Sequence, residues 1–472
     1  MKVLLIDYPW LDRETHHYSV YSLFGPYPNP ALAILGGALQ HHGMDFSIVD
    51  AKLDKLTLAE TMEKVKAIKP DIIGISAFTS DIYYANLFAG LIKEVMPDCK
   101  IVVGGPHSTV LPERTLHEFI NIDIGVIGEG ELVLIEIIKA IENGFDLTKV
   151  GNIVYRAGNE IIKNPMDQNL VPQDMNVIGE PVWSKLSPGR MYYIQTTRGC
   201  PFSCEFCYRI TGKSVRARSI DSVLSEIEMV LSIGNPEELY ISDPTFGLDK
   251  KKTLILLDAF VENKIADRTQ WRAGTRFSTV TEGLLYKMKK AGNKSIFFGV
   301  ESGNEKILAS AKQRLDLEKA NRMLKICRQL KIETHGGFIF GHPSETKDTA
   351  WDTVKVITKM KFDLVSIGIM VPWPGTKVYE YAKANTNGYK LISNDWRNFD
   401  KHFGSSLEFT NFPQNYFPRL RLLAYFMFYL KNLKFYDLFK TVITNFRLSC
   451  KFFACSIFPS RKDKAGQSRE SA

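Results

Sequence analysis

The chain has 472 residues, of which 45% are hydrophobic and 24% charged, a balance typical of globular proteins that excludes wholesale disorder and fibrous architectures. Its net charge of +8 lies wholly beyond residue 418, where eleven basic residues face three acidic ones, so residues 1–418 sum to zero. A neutral body excludes a nucleic-acid binder built on a broad basic face.

The first 145 residues alternate strand-like and helical patterns. Strands are predicted at 3–7, 46–50, 71–78, 100–105 and 123–128, several of them runs of Val and Ile without polar alternation, as strands covered on both faces read. Helices are predicted at 31–41, 57–68, 82–95 and 131–142. Five βα repeats predict a doubly wound, Rossmann-like parallel sheet over 1–145, with ligands outside the carboxyl ends of the strands. The loops there include Gly104-Gly105-Pro106-His107 and Gly128-Glu129-Gly130-Glu131, where glycine permits tight turns or a close approach of backbone to ligand.

Residues 146–185 break the rhythm as a hairpin and linker, with Ala157-Gly158-Asn159 as the turn and Pro165, Pro172 and Pro181 marking an extended connector. Six further βα units follow over 186–385, with strands at 192–197, 238–242, 270–275, 295–300, 333–340 and 364–370. Helices at 222–231, 252–261 and 319–330 separate some of them. Six units are fewer than a complete eight-stranded barrel needs, so a partial (β/α)6 barrel is predicted. Residues 386–460, crowded with aromatic and basic side chains, are predicted to be mainly helical, and 461–472 a disordered polar tail. No apolar run reaches the ~20 residues of a membrane span. The opening Met1-Lys2-Val3-Leu4-Leu5-Ile6-Asp7 holds too few apolar residues for a signal peptide, so the expected location is cytoplasmic.

Seven cysteines are too few for a disulfide framework in a chain of this size. Cys99, Cys327, Cys450 and Cys455 are scattered, whereas Cys200, Cys204 and Cys207 fall within eight residues directly after the first strand of the second series. Barrel folds place their active sites on such loops. Thiolates are the usual ligands of iron–sulfur clusters, and a four-iron cluster ordinarily takes four of them. Three closely spaced thiols therefore leave one iron open. Structural zinc would need a second Cys or His pair, and none lies nearby.

This CxxxCxxC spacing with an aromatic after it, on the first loop of a partial barrel, resembles the radical S-adenosylmethionine (SAM) superfamily. The resemblance implies a [4Fe-4S] cluster ligated by Cys200, Cys204 and Cys207, whose open iron chelates SAM and whose electron cleaves it to a 5′-deoxyadenosyl radical. It implies Tyr208 near the adenine. Ser242-Asp243-Pro244 ends the second strand, where the family holds the amino group of SAM; the family's Gly-Gly-Glu-like turn is absent, and Asp243 is the candidate. Arg276 ends the third strand and is a candidate for the methionyl carboxylate. Gly299-Val300-Glu301-Ser302-Gly303 ends the fourth, with Glu301 for the ribose. Gly337-Phe338-Ile339-Phe340-Gly341-His342-Pro343 ends the fifth, with Ile339 in the segment that packs on adenine. Val371-Pro372-Trp373-Pro374-Gly375-Thr376 ends the sixth, a turn common in one branch of the superfamily.

The N-terminal domain resembles the cobalamin-binding domain of the cobalamin-dependent branch, which includes methyltransferases and the anaerobic magnesium-protoporphyrin cyclase. The Asp-x-His-x-x-Gly segment that supplies a cobalt-ligating histidine elsewhere is absent, and His107 is not taken as a ligand. Cobalamin would then rest on backbone and loop contacts at Thr79, Ser80, Gly104, Gly105, Gly128 and Gly130; a degenerate domain without cofactor is the rival reading. The branch implies two uses of SAM, one as methyl donor to the corrinoid and one as radical source.

The function expected is an oxygen-sensitive, cobalamin-dependent radical SAM methyltransferase. It would act on an unactivated carbon of a small-molecule or lipid-like substrate, with an external donor of flavodoxin or ferredoxin type and no nucleic acid. A cobalamin-using radical oxidoreductase or cyclase without methyl transfer is the alternative, and a non-catalytic cobalamin sensor a third reading. Residues 419–458 read either as helices packing their aromatics inward or as an interfacial helix giving peripheral membrane contact.

Overall fold

The computed structural model describes residues 1–11, 27–144, 146–310, 315–400 and 406–432. The chain divides into two compact units. The first comprises 1–203, 207–297 and 325–333; the second comprises 204–206, 298–324 and the chain from Thr334 onward.

In the first unit, strands β1 (Val3–Asp7), β2 (Phe46–Asp50), β3 (Ile72–Ser76), β4 (Lys100–Gly104) and β5 (Ile124–Val126) run parallel in the order β2-β1-β3-β4-β5. Every residue of β1 and β5 is buried, which explains their unbroken apolar runs. The order reverses at β1, creating the crevice between β1 and β3 in which doubly wound sheets bind ligands. Helices Pro30–His41, Leu58–Ile68, Ile82–Val95 and Glu131–Glu142 cross between the strands. Asn29 caps the first, with Pro30 at its first position, and a Thr57–Glu60 capping box starts the second. Two short helices, Pro106–Val110 and Pro112–Glu118, follow β4 where the sequence analysis placed only a glycine-rich loop, each opened by a proline.

The sheet is not purely parallel. Strands β6 (Ile153–Ala157) and β7 (Glu160–Lys163), expected as a hairpin within the break, extend it to seven strands, with β6 antiparallel to β5. The physical reason lies in the three-residue edge strand β5, whose open ladder the hairpin covers, while Ile153, Val154 and Tyr155 become buried.

The second series supplies β8 (Met191–Ile194), β11 (Glu238–Ile241), β12 (Gln270–Thr275), β13 (Asn293–Glu301), β14 (Glu333–Phe340) and β15 (Leu364–Ile369), one sheet with neighbours in chain order. A two-residue ribbon of β9 (Thr197–Arg198) and β10 (Arg216–Ala217) branches off after β8. Two tryptophans in the first unit are fully buried with their indole N–H groups satisfied. Trp183 donates to Glu226 Oε1 at 2.7 Å and Trp271 to the Ala291 carbonyl at 2.7 Å.

In the second unit, β14 and β15 pair in parallel, with Ile339 opposite Gly368. Among the described residues after 385, β16 (Tyr389–Leu391) and β17 (Leu407–Phe409) form an antiparallel pair that lets Tyr389 and Phe409 pack on Met370 and Val378. Helix Tyr416–Lys431 follows, burying Phe417, Leu420, Arg421, Ala424, Phe428 and Tyr429. The Tyr425 hydroxyl accepts from the Ile367 amide at 2.9 Å. Phe417, Phe428 and Tyr429 thus pack inward while Leu423, Phe426 and Leu430 stay exposed, and the interfacial reading gains no support from a helix that buries a basic residue, Arg421. No described helix is long and apolar enough to cross a membrane. The rest of 419–458 and the tail 461–472 lie outside the described residues.

Candidate active site

The cysteine loop is tied down at both ends. At its root, Asp243 accepts from the amides of Thr196 and Thr197 at 2.7 and 2.9 Å and from the Thr196 hydroxyl at 2.5 Å. Asp243 is buried; burial pushes its carboxyl up, and the hydrogen bonds from Thr196 and Thr197 oppose that. Beyond the β9–β10 ribbon, Gly199 adopts φ +88°, and a side chain there would run into the Ser214 carbonyl. Glycine is obligatory at this turn. The Gly199 amide donates to Thr211 Oγ1 at 3.0 Å and the Cys200 amide to the Gly212 carbonyl at 3.1 Å, so the segment returning from the cysteines fixes the position of the first one.

Cys200 and Cys204 are half-buried and Cys207 is exposed, and none is in a disulfide. Among the described residues no three Cys, His or carboxylate side chains close into a metal cage. The donor chemistry nevertheless fits an iron–sulfur cluster: three accessible thiols lie on one loop without helix or strand of its own, and ligand sets are rarely closed before the metal arrives. Cys207 Sγ lies 3.7 Å from the Tyr208 carbonyl. Arg276, at the end of β12, stacks its guanidinium over Phe202 at 4.1 Å, a contact that ties a cation to the cysteine loop.

The second unit holds the remaining strand ends. Glu301 closes β13 at φ +68°, a conformation that costs a non-glycine residue about 1–3 kcal/mol and clusters at functional sites. A Cβ on Gly299 would lie 2.7 Å from Glu301 Oε1; the carboxylate thus folds over the glycine, which explains the Gly-Val-Glu spacing. The Ser302 and Thr353 hydroxyls pair at 3.1 Å, and Thr353 Oγ1 accepts from the Gly303 amide at 3.0 Å. Ile339 and Phe206, the latter between two of the cysteines, pack against one apolar cluster of Met370, Val378, Ala382 and Tyr389. His342 meets Phe206 edge-on at 5.6 Å, and burial pushes its imidazole down to about 4 against the pull of the Glu301 carbonyl.

At the carboxyl edge of the first sheet, Thr79 Oγ1 lies 3.4 Å from His107 Nδ1 and Ser80 turns to Asp81 at 3.4 Å. His107 is buried edge-on to Phe119 at 6.1 Å, and burial holds its imidazole down at about 3. It is an interior residue of the domain. Gly105, at φ +99°, would place a Cβ 2.8 Å from the Ala77 carbonyl, whereas Gly128, at φ +86°, faces open space. Gly104 and Gly130 have ordinary φ and only ordinary van der Waals neighbours. Phe78 is 62% exposed between buried Ala77 and Thr79. An open glycine turn and an outward aromatic at this edge fit a large flat cofactor held by backbone and shape.

The sequence reading missed a buried polar cluster beside this edge. Lys52 Nζ meets Asp7 Oδ1 at 2.8 Å and lies over the rings of Tyr8 and Trp10 at 4.8 and 4.7 Å. Asn29 donates to both acids, from Nδ2 to Asp7 and from its amide to Asp50, each at 2.9 Å. Burial and the neighbouring Asp7 charge push the Asp50 carboxyl up. The available signal was an aspartate closing each of two apolar runs, Val-Leu-Leu-Ile-Asp and Phe-Ser-Ile-Val-Asp. Also missed were the glutamates of Gly-Glu-Gly-Glu, which the structure turns toward Arg198 and Arg216.

Residues 20–138 match the B12 binding domain family and residues 194–357 the radical SAM superfamily. An uncharacterized methyltransferase of Pyrococcus horikoshii is 30% identical over 440 residues, covering 91% of this chain and 93% of that one. The chain belongs to the cobalamin-binding radical SAM enzymes. The anaerobic magnesium-protoporphyrin IX monomethyl ester cyclase of Cereibacter sphaeroides is 27% identical over 401 residues, 79% of this enzyme and 65% of the cyclase. Among solved structures, the radical SAM methyltransferase TsrM of Kitasatospora setae superposes with a TM-score of 0.68 at 20% identity, covering 81% of this enzyme and 76% of TsrM. The enzyme thus has a B12-binding domain ahead of a radical SAM domain, and its cofactors are a [4Fe-4S] cluster, SAM and cobalamin.

Proposed function

We propose that the enzyme methylates an unactivated carbon of a small-molecule or lipid-like substrate. The observation that carries this is the match along 93% of a relative that bears the name methyltransferase, joined to three accessible thiols on the loop after β8. When bound, the cofactors supply an electron for cleaving SAM, a radical that takes a substrate hydrogen and a corrinoid that carries the methyl group.

The roles proposed for the chain's own residues follow from their surroundings. Cys200, Cys204 and Cys207 hold three irons as thiolates. Arg276, already stacked on the cysteine loop, takes the methionyl carboxylate through its fork of N–H donors. Asp243 serves the SAM amino group largely by fixing the backbone at Thr196 and Thr197, because its oxygens already accept from those residues. Glu301 accepts from the ribose hydroxyls, and Ile339 and Tyr208 cover the adenine. Thr79, Ser80, Gly104, Gly105, Gly128 and Gly130 are proposed for cobalamin, with the outward Phe78 beside them. The proposed domains are 1–145 for cobalamin, 146–185 as hairpin and linker, 186–385 for the radical barrel, 386–460 as C-terminal region and 461–472 as tail. An external one-electron donor of flavodoxin or ferredoxin type is part of the proposal.

The cyclase relatives favour a second reading, oxidation or ring closure without methyl transfer. Anaerobic reconstitution with iron, sulfide and hydroxocobalamin, followed by turnover of candidate substrates with methyl-deuterated SAM, separates the two. Deuterated product together with 5′-deoxyadenosine is the expected result. Unlabelled oxidised product would establish the second reading, and a chain that retains neither iron nor corrinoid would overturn both.

A further inference from the structure

The glutamates of Gly128-Glu129-Gly130-Glu131 belong to a buried network that reaches the cysteine loop. Arg198, two residues before Cys200, donates from Nη1 to Glu129 Oε2 at 2.6 Å and from Nη2 to Glu131 Oε1 at 2.6 Å. Arg216, its partner across the β9–β10 ribbon, grips Glu129 through a second fork, from Nη2 to Oε1 and from Nη1 to Oε2 at 3.3 Å. Arg216 also donates to the carbonyls of Pro172 at 2.5 Å and Thr211 at 3.0 Å. Arg198 is steadied by Gln195 at 2.7 Å.

All four charged side chains are only 5–7% exposed, and the two guanidiniums balance the two carboxylates. Burial alone would raise the Glu131 carboxyl, but the Arg198 guanidinium holds it below the ordinary range. Glu131 also opens the helix Glu131–Glu142, where the helix dipole favours a negative charge. A buried ion network of this kind is weak evidence for stability, but removing one partner is costly because it leaves the other charge buried without its counterpart.

Both ends of the network sit where the chemistry is proposed. The glutamates alternate with the two glycines assigned to cobalamin, and Arg198 and Thr211 flank the turn that fixes Cys200, the Gly199 amide donating to Thr211 Oγ1. We propose that Glu129, Glu131, Arg198 and Arg216 form a positioning lock that registers the cobalamin loop Gly128–Gly130 against the root of the cysteine loop. The four residues touch neither cofactor in this scheme; they act through Gly128, Gly130 and Cys200. The inference rests on the cofactor assignments of the proposed function.

The test uses the full chain reconstituted anaerobically with iron, sulfide and hydroxocobalamin. It compares wild type with Arg198→Lys, Glu131→Gln and Glu129→Gln, taking Glu237→Gln as control because Glu237 pairs with Arg190 on the surface. The readouts are iron and corrinoid per chain, the electron paramagnetic resonance (EPR) spectrum of the reduced cluster before and after adding SAM, and SAM cleavage. Arg198→Lys keeps the charge and loses the fork, and Glu131→Gln leaves the Arg198–Glu129–Arg216 contacts in place, so these two remain informative if Glu129→Gln does not fold. The expected result is near wild-type iron in all folded variants, a reduced cluster whose EPR response to SAM is broadened or lost, and cleavage ~10²-fold slower, the scale of a misplacement of about 1 Å. Corrinoid per chain falls in Glu129→Gln and Glu131→Gln. Wild-type spectra and rates in Arg198→Lys and Glu131→Gln would overturn the lock while leaving the cofactor assignments standing. A wild-type chain that retains no cluster would overturn those assignments and the lock together.

Discussion

The carboxyl ends of the seven-stranded sheet and those of the six-stranded sheet handle ionisable groups in opposite ways. In the first sheet they are withdrawn: Asp7 is paired with Lys52, Asp50 accepts backbone amides, and His107 is buried against Phe119. What faces outward is backbone at Gly128 and the ring of Phe78. In the second, accessible thiols, an arginine stacked on the thiol loop and a glutamate in a strained conformation stand at the ends of β8, β12 and β13, with Asp243, after β11, withdrawn to brace the root of the thiol loop. The difference follows the cofactors. A corrinoid is broad, flat and fringed with amides, so shape and backbone groups suffice, whereas a cluster and a zwitterionic nucleotide demand donors of definite charge.

The largest effects are expected where that contrast is sharpest. Replacing Cys200, Cys204 or Cys207 singly by Ala should reduce 5′-deoxyadenosine formation to background and sharply lower iron retention, while corrinoid per chain stays at the wild-type level. A Cys204→Ala chain that still cleaved SAM would break the ligand assignment. Corrinoid lost along with iron would mean that the two regions are not chemically separable.

The glycines give the matching test in the first sheet. Gly105→Ala combines a positive φ with a contact against the Ala77 carbonyl, so it should cost about 1–3 kcal/mol in stability and lower the melting midpoint. Gly128→Ala meets no neighbour and should cost only the roughly 1–2 kcal/mol of an L-residue at positive φ, yet reduce corrinoid binding if the open space there is the cofactor's. Equal corrinoid binding by Gly128→Ala and wild type would move the cofactor away from this loop.

Arg276 comes next in size. Arg276→Ala removes a charge-assisted fork worth about 1.5–3 kcal/mol, raising the KM for SAM ~10–100-fold with iron content unchanged. Arg276→Lys should recover only part of this, because an ammonium neither forks nor stacks on Phe202 as a guanidinium does. An unchanged KM in Arg276→Ala would leave the arginine as a packing partner of the loop.

How far the sequence disclosed this depended on whether a feature is local. Strands such as Val3–Asp7 and Gln270–Thr275 and the helix Ile82–Val95 could be placed residue for residue, since periodicity over a few residues determines them. The cysteine spacing was equally legible, because one short loop contains it. The antiparallel hairpin on β5 was visible as a hairpin but not as part of the sheet, since the partner it covers lies outside its own segment. Glu129 and Arg198 are 69 residues apart; nothing local distinguishes a glutamate in a glycine-rich turn from a solvated one. The pairing of Asn29 with Asp7 and Asp50, 22 and 21 residues away, was hidden for the same reason.

The smallest prediction concerns Glu345, where a carboxylate of the second unit follows the inward rule of the first sheet. Its Oε2 accepts from the amides of Gly341 and His342, at 2.5 and 3.1 Å, and among the described residues its Oε1 accepts nothing. Burial pushes the carboxyl up to about 7, against those two hydrogen bonds. An acid whose folded-state pKa exceeds its ordinary value takes up a proton on folding, so the contribution of Glu345 to stability is fully present below pH 4.5 and is lost as pH rises through about 7. The loss amounts to about 3 kcal/mol. Glu345→Gln keeps an oxygen for the two amides and cannot ionise, so its melting midpoint should match wild type near pH 5 and exceed it near pH 8. Parallel midpoint curves for the two proteins across that range would mean that Glu345 is already ionised in the fold, with a counter-charge supplied from outside the residues that surround Gly341.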